Sequence, residues 1–329
     1  MMARSRRGLA WIAALLALAS LPIAHQDARA FDPGEGMGAT IDSTLSQGPD
    51  FSGYQRLLDD YLSATSEPGK PLETRFDYLK LWGAEGTFER FARIRRQLFG
   101  FPISRLRGRE KLAWAINTYN YLVLETATVN LIEKRAQRGY VNGMRAMVRR
   151  PHTSVQQIQL RFGTFFDGYV TELQGKGYSL NQFEQHFVFE DYDRKSKRPP
   201  PKTLDPRAHF ALVCGAQGCP PLLPRAYQAD SLDRQLDFAV RNALSSRAHL
   251  RFNPLARFVQ ASSIFQWYAA DFGSPRQAME FIKRYGPTPV TAEIDNLKVT
   301  EIGAYLPWDW KLNQTPQKAA ADSTSGRKS

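Results

Sequence analysis

The stretch Asp205-Pro-Arg-Ala-His-Phe-Ala-Leu-Val-Cys-Gly-Ala-Gln-Gly-Cys-Pro-Pro221 contains both cysteines of the 329-residue chain and its sharpest local change in structure. Asp205-Pro206 interrupts whatever precedes it, because proline fixes its own backbone angle and restricts the residue before it. Residues 208–214 are apolar, aromatic or β-branched, and they predict a short buried strand. Two glycines then allow a tight loop, which two prolines close.

Side-chain alternation along this predicted strand limits how its functional groups can pair. His209 and Cys214 would point to opposite faces of a straight strand and could not meet. Cys219 lies beyond the loop and is free of that constraint. Two pairings therefore remain open, a His209–Cys219 dyad or a Cys214–Cys219 disulfide.

A thiol site would use Cys219 as the nucleophile and His209 as its base, since a thiol needs a neighbouring histidine or helix N-terminus to form the thiolate. Asn120 and Glu184 are the further catalytic candidates, because one of them could orient the imidazole. In papain-like enzymes the cysteine precedes the histidine, so this order would require a permuted layout or the use of His249 instead. The competing interpretation is a structural disulfide, which an even cysteine count in an exported protein favours.

The most regular apolar spacing predicts a helix over residues 109–133, with Asn120 on its buried stripe and Asn117 on the adjoining flank. A buried amide without a partner costs roughly 1–3 kcal/mol, so both amides are expected to be hydrogen-bonded. One interpretation is that they hold neighbouring backbone groups in place. The other is that one of them, or Tyr119, contacts a substrate or a catalytic histidine.

Five segments in the same order resemble the DUF547 family, a domain of unknown function found in bacteria, plants and animals. The central segment is His209–Pro221, and the others are Ala113–Asn120, Ser179–Glu184, Ser263–Phe272 and Leu306–Asn313. The resemblance implies a bacterial exported member of this family but supplies no settled activity.

The chain departs from this family at one place. The family usually has Glu-His after the Ser-Leu stretch and an arginine four residues further on, whereas this chain has Gln185 and Phe189 there, with His186 one step late. The candidate binding residues within these segments are Asn117, Tyr119, Trp267 and Asp271.

The first thirty residues have the layout of a cleavable signal peptide. A positive segment precedes an apolar run over residues 9–23 and the cleavage site Ala28-Arg-Ala30, which predicts a cut after Ala30 and a periplasmic or secreted protein. The apolar run is too short for a membrane span, so none is expected after cleavage. Loss of four arginines and one aspartate lowers the net charge from +12 to +9.

The remaining charge makes an anionic envelope component a possible partner. No signature of a nucleic-acid-binding motif accompanies the charge, so no nucleic-acid partner is expected. Two cysteines without a second Cys/His pair do not form a zinc site, and neither a metal nor a cofactor is expected. The ligand and the partner are otherwise unknown from the sequence.

The pattern as a whole predicts an α+β fold, a mostly helical single domain with a small antiparallel β-sheet. Residues 1–30 are assigned to the signal peptide, 31–50 to a linker, 51–313 to the DUF547-like domain and 314–329 to a disordered tail. We expect a ligand- or partner-binding envelope protein with a structural Cys214–Cys219 disulfide. The alternative is a thiol hydrolase or acyl-transferase with papain- or transglutaminase-like chemistry.

Overall fold

The computed structural model describes residues 48–133, 137–141, 144–195 and 200–316. The predicted signal peptide, most of the predicted linker and residues 317–329 lie outside the described residues. Among the described residues two compact units are distinguished: one lies within residues 48–131 and 153–316, and the other within residues 132–152. The candidate site belongs to the first unit.

Helices dominate the first unit, as the apolar spacing predicts. The α-helices are α1 (Ser52–Tyr61), α2 (Tyr78–Trp82), α3 (Thr87–Phe99), α4 (Gly108–Val129), α5 (Leu180–Phe183), α6 (Leu232–Ser245), α7 (Ile264–Trp267), α8 (Pro275–Tyr285) and α9 (Thr288–Asn296). A π-helical segment, Glu184–Val188, continues α5 directly. Short 3₁₀-helices cover Ile103–Arg105, Val155–Gln157, Pro206–Phe210 and Ala269–Phe272. Within the described residues, no helix is both long enough and apolar enough to cross a membrane.

The strands form small sheets between the helices, and the α+β class is confirmed. Two-stranded antiparallel pairs are formed by β1 (Leu62–Thr65) with β2 (Glu73–Phe76), β5 (Gln159–Leu160) with β6 (Gly163–Thr164), and β7 (Tyr169–Leu173) with β8 (Lys176–Ser179). A three-stranded sheet has the order β11 (Ile302–Leu306), β10 (Phe258–Ser262), β9 (Leu250–Asn253). In it, β10 is antiparallel to β9 and parallel to β11.

The second unit contains one antiparallel hairpin, β3 (Gln137–Val141) with β4 (Met144–Val148). Its base is extended by a bridge between Ile132 and Pro151. No functional residue was predicted in this segment.

The predicted strand over residues 208–214 is wrong, because the segment begins as a 3₁₀-helix over Pro206–Phe210 and then runs without regular structure. The Asp205 carboxylate accepts a hydrogen bond from the Arg207 backbone N–H, and Pro206 occupies the first turn, where its missing N–H is not needed. The argument from strand alternation therefore does not apply to His209 and Cys214.

Two asparagines of α4 hold this irregular segment in place. The Asn120 amide donates to the Ala211 carbonyl at 2.9 Å and accepts from the Val213 N–H at 2.9 Å. Asn117 makes the same pair of bonds to the N–H and carbonyl of Tyr227, both at 2.8 Å. Both side chains are fully buried, and the interpretation that they hold neighbouring backbone groups is confirmed.

The helix that carries them lies at the centre of the unit. Residues 113–128 of α4 are all buried, so the helix is surrounded on every side rather than along the single stripe that the spacing predicts. The buried Glu125 carboxylate is paired with Arg95 of α3 at 2.7 Å. A helix enclosed in this way gives the site a rigid support.

Candidate functional site

A pocket of about 360 Å³ lies beside the Cys214–Cys219 loop. Its lining combines aromatic, apolar and acidic side chains: Tyr119, Phe166, Asp167, Asn181, Glu184, His209, Leu212, Cys214, Cys219, Pro220, Ile264, Trp267, Tyr268, Trp308 and Trp310. No lysine or arginine is among the described residues that line it. Pockets of this size and composition are typical of small-molecule sites.

The pocket brings together most of the predicted site residues. Those that line it are Tyr119, Glu184, His209, Cys214, Cys219 and Trp267. Asn117, Asn120 and Asp271 do not line it. Asp271 contacts His209, Asn120 holds the backbone of Ala211 and Val213 on either side of the lining residue Leu212, and Asn117 holds the backbone of Tyr227. The roles assigned to all of these residues in catalysis or binding stay predictions.

Glu184 is a buried carboxyl at the floor of the pocket. Ser179 caps α5 through a reciprocal pair of bonds with Gln182, and the π-helical turn that follows carries Glu184. Its carboxyl is hydrogen-bonded by the Tyr119 and Tyr268 hydroxyls. Burial raises the pKa of Glu184 to about 7, although the charge of Arg194 and the tyrosine hydrogen bonds oppose the shift. The group is therefore able to gain or lose a proton near neutral pH.

His209 lines the pocket close to Glu184 and is held in a single orientation. Its ring stacks between Phe189 and Tyr268, with centroid separations of 4.4 Å and 3.9 Å. Its Nε2 lies 2.8 Å from Oδ2 of Asp271. Burial lowers the pKa of His209 to about 4 despite this carboxylate, so the ring is neutral at pH 7. We assign the proton to Nε2, because the carboxylate can only accept.

Asp271 is fully buried and is compensated by Arg194. The Arg194 Nε–H donates to both carboxylate oxygens at 3.0 Å and 2.9 Å, and Nη2 donates to Oδ2 at 2.7 Å. Burial by itself would raise the pKa of Asp271, but the hydrogen bonds from His209 and Arg194 hold it below its ordinary value. The His209–Asp271–Arg194 chain is thus a complete buried network.

Arg194 was missed by the sequence analysis, because it begins a basic, proline-rich run and nothing distinguishes it from the neighbouring Lys195. Its guanidinium also lies over the Phe189 ring at 4.6 Å from the centroid. A guanidinium therefore lies beside position 189, where the family resemblance expects an arginine, but it comes from position 194. Gln185 accepts from Arg194 Nη1 at 2.6 Å, whereas His186 is bonded to Asp191 outside the pocket.

Three tryptophans form one wall of the pocket, and only Trp267 was predicted. Its ring centroid lies 4.8 Å from that of Trp308 and 5.9 Å from that of Trp310. Gly218 allows the disulfide loop to approach this wall, because a Cβ at that position would lie 3.0 Å from the Trp308 ring. Trp267 is 45% exposed, which leaves an aromatic face open to the pocket mouth.

Cys214 and Cys219 form a disulfide, with a Cα–Cα distance of 6.2 Å. The described residues contain no free cysteine. His209 directs Nε2 to Asp271 rather than to a sulfur, while the ring of His249 donates to the Cys219 backbone carbonyl. A nucleophilic thiol would therefore require reduction first. No group of three or more His, Cys, Asp or Glu residues in the described part of the chain is placed to bind a metal.

Comparison with known proteins identifies one family. The family model described as "Protein of unknown function, DUF547" matches residues 103–242. No curated protein and no solved structure matches the chain significantly. The match includes the floor of the pocket, with Tyr119, Glu184 and His209, and ends before the segments that carry Trp267 and Trp308. The resemblance of those later segments stays a prediction.

The Arg194–Asp271 pair can be tested by removing the cation. Arg194→Met should lower the free energy of unfolding by about 3 kcal/mol or more, because it leaves a buried carboxylate without its counter-charge. The matched control is Lys195→Met, which removes an exposed charge next in sequence and should change stability by less than about 0.5 kcal/mol. Chemical denaturation measures both, and equal effects of the two substitutions would contradict the role given to Arg194.

Proposed function

The chain belongs to the DUF547 family through residues 103–242, and from that premise we propose that it is an exported ligand-binding protein of the bacterial cell envelope. The binding site is the pocket beside the Cys214–Cys219 loop. The disulfide and the buried polar network act as its frame, and the tryptophan wall and Glu184 contact the ligand.

The observation that carries the proposal is the convergence of residues distant in sequence on one pocket. Tyr119, Glu184, His209 and Trp267 come from separate elements and line the same pocket of about 360 Å³. Glu184 is a buried carboxyl whose pKa is raised to about 7 by burial. Shifted titratable groups inside a concave, largely aromatic pocket mark functional sites more often than structural ones.

Two further features support a binding role in an oxidising compartment. The two cysteines that line the pocket are joined in a disulfide, so neither has a free thiol. This favours a structural role for them over a nucleophilic one. Disulfides persist mainly in exported proteins, in agreement with the signal peptide expected over residues 1–30. After loss of residues 1–30 the net charge would be +9, which would favour an anionic envelope surface around the protein.

Ligand-observed NMR on a mixed panel of neutral, anionic and cationic fragments tests the binding role. We expect some fragments to bind and to compete with one another, and Trp267→Ala should weaken them about tenfold because it removes one side of the pocket. The matched control is Phe238→Ala, since Phe238 is 49% exposed and does not line the pocket. A panel without hits, or hits that both variants retain equally, would contradict the proposal.

A second candidate function is thiol catalysis at Cys219 after reduction of the disulfide. The observation that favours it is that Cys219 lies in the pocket with the ring of His249 at its backbone and His209 in the same lining. This function needs a thiolate at neutral pH, which requires a histidine at the sulfur itself.

The alkylation rate of Cys219 in reduced protein separates the two functions. The binding proposal predicts an ordinary thiol, with a rate that rises toward about pH 8.5 and does not change in His209→Gln or His249→Gln. Mass spectrometry distinguishes modification of Cys219 from that of Cys214, which serves as the internal control. Rapid alkylation at pH 6 that is lost in either histidine variant, with the fold intact, would favour the catalytic function instead.

A further inference from the structure

We propose that the pocket binds a small organic cation, an amine or a quaternary ammonium group, seated against the tryptophan wall with Glu184 and Asp167 as its counter-charges. This inference rests on the proposed binding function and names its ligand class.

The charge of the lining differs in sign from that of the chain. The protein has a formal net charge of +12, yet the described lining contains two carboxyl groups, Asp167 and Glu184, and no lysine or arginine. The charge of Arg194 acts on Glu184, but its guanidinium donates three hydrogen bonds to Asp271. Asp167 accepts hydrogen bonds from Thr164 and Asn181, and Glu184 accepts them from two tyrosines, but neither carboxyl is paired with a cation among the described residues. A ligand anion would therefore be repelled by carboxylates that have no counter-charge, whereas a ligand cation would supply it.

The aromatic wall suits the same class of ligand. The faces of tryptophan rings carry negative electrostatic potential and attract cations, which is how quaternary ammonium groups are commonly recognised. Trp267, Trp308 and Trp310 lie within about one ring diameter of one another, with centroid distances between 4.8 Å and 6.1 Å. They therefore present a continuous wall rather than isolated rings. The protein already pairs a cation with aromatic faces here, because Arg194 lies 5.1 Å from the Tyr268 centroid.

Glu184 couples this binding to pH. A bound cation favours the ionised carboxylate, and the pKa of Glu184 is about 7, so affinity should fall as the pH drops below 7 and the group becomes neutral. The other groups facing Glu184 keep one charge state between about pH 5.5 and 8.5. They are Tyr119, Tyr268, His209 and Asp271, and the Arg194 guanidinium is the cation whose charge acts on Glu184. Glu184 is thus the group that changes charge on the floor in this range.

The experiment compares two probes of the same shape, choline and its neutral carbon isostere 3,3-dimethyl-1-butanol. Tryptophan fluorescence of the whole protein reports binding, because three of its six tryptophans line the pocket. Sodium chloride keeps the ionic strength equal in every titration, since added salt alone screens exposed charges. We expect choline to bind about tenfold more tightly than the isostere at pH 8.

Two variants and a pH series complete the test. Glu184→Gln keeps a hydrogen-bonding side chain without the charge, and it should reduce the preference for choline and remove its pH dependence. Phe238→Ala should leave both unchanged. In the unsubstituted protein, the affinity for choline should fall about tenfold from pH 8 to pH 5.5.

The possible failures are distinguishable. Equal or tighter binding of the isostere, or of a neutral sugar such as N-acetylglucosamine, would overturn the cation inference while leaving a ligand pocket in place. Absence of choline binding would also overturn it, and the fragment panel then decides separately whether the pocket binds anything. Choline binding that Glu184→Gln and Trp267→Ala both leave intact would place the cation elsewhere and overturn the inference as well.

Discussion

Two buried carboxyl groups, Glu184 and Asp271, share one nearby guanidinium, and the character of the site follows from how that charge is divided. Arg194 makes a bidentate contact with Asp271, which His209 also contacts, so this carboxylate is ionised and fixed. Glu184 is hydrogen-bonded by two tyrosine hydroxyls, and no cation among the described residues is directly paired with it. Burial of a carboxyl without a paired cation raises its pKa, which for Glu184 lies at about 7.

The surrounding fold holds this arrangement with polar contacts rather than with a sheet. The segment that carries His209 has little regular structure, and its backbone groups are satisfied by Asn120 of the buried helix α4. The π-helical turn after α5 gives Glu184 its position, and such turns are frequently found at functional sites. The Cys214–Cys219 disulfide closes the loop that packs against Trp308. The Asn120 hydrogen bonds, the π-helical turn and the disulfide each fix the position of residues that form the site. Such an arrangement suits a preformed pocket.

The sequence was sufficient for the features that depend on local pattern. Periodic apolar spacing located α4, and the buried amides of Asn117 and Asn120 indicated backbone contacts because an unpaired amide is costly. The strand over residues 208–214 was wrong because an apolar run does not say whether a neighbouring strand exists. The sequence also contained a local signal for a helical turn, Asp205 followed by Pro206. In the structure this signal decides the conformation, and the apolar run does not form a strand.

Features that depend on distant contacts could not be predicted in this way. Arg194 belongs to a run whose composition resembles a solvated loop, and its role arises only because Asp271, 77 residues later, is buried beside it. Likewise, Trp308 and Trp310 meet Trp267 through the packing of the chain end against the loop, which no spacing within either segment reveals. The shared feature is a long-range pairing of polar or aromatic groups, for which the residue type alone carries little information.

The most direct test of the account is the protonation state of Glu184, measured by infrared difference spectroscopy across a pH titration of the unsubstituted protein and of Glu184→Gln. The account predicts a carboxylic acid C=O band that persists above pH 6, disappears with a midpoint near 7 and is absent from the variant. Loss of every carboxylic acid band by about pH 5 in both proteins, with no band above that pH that Glu184→Gln removes, would show an ordinary glutamate and contradict the account.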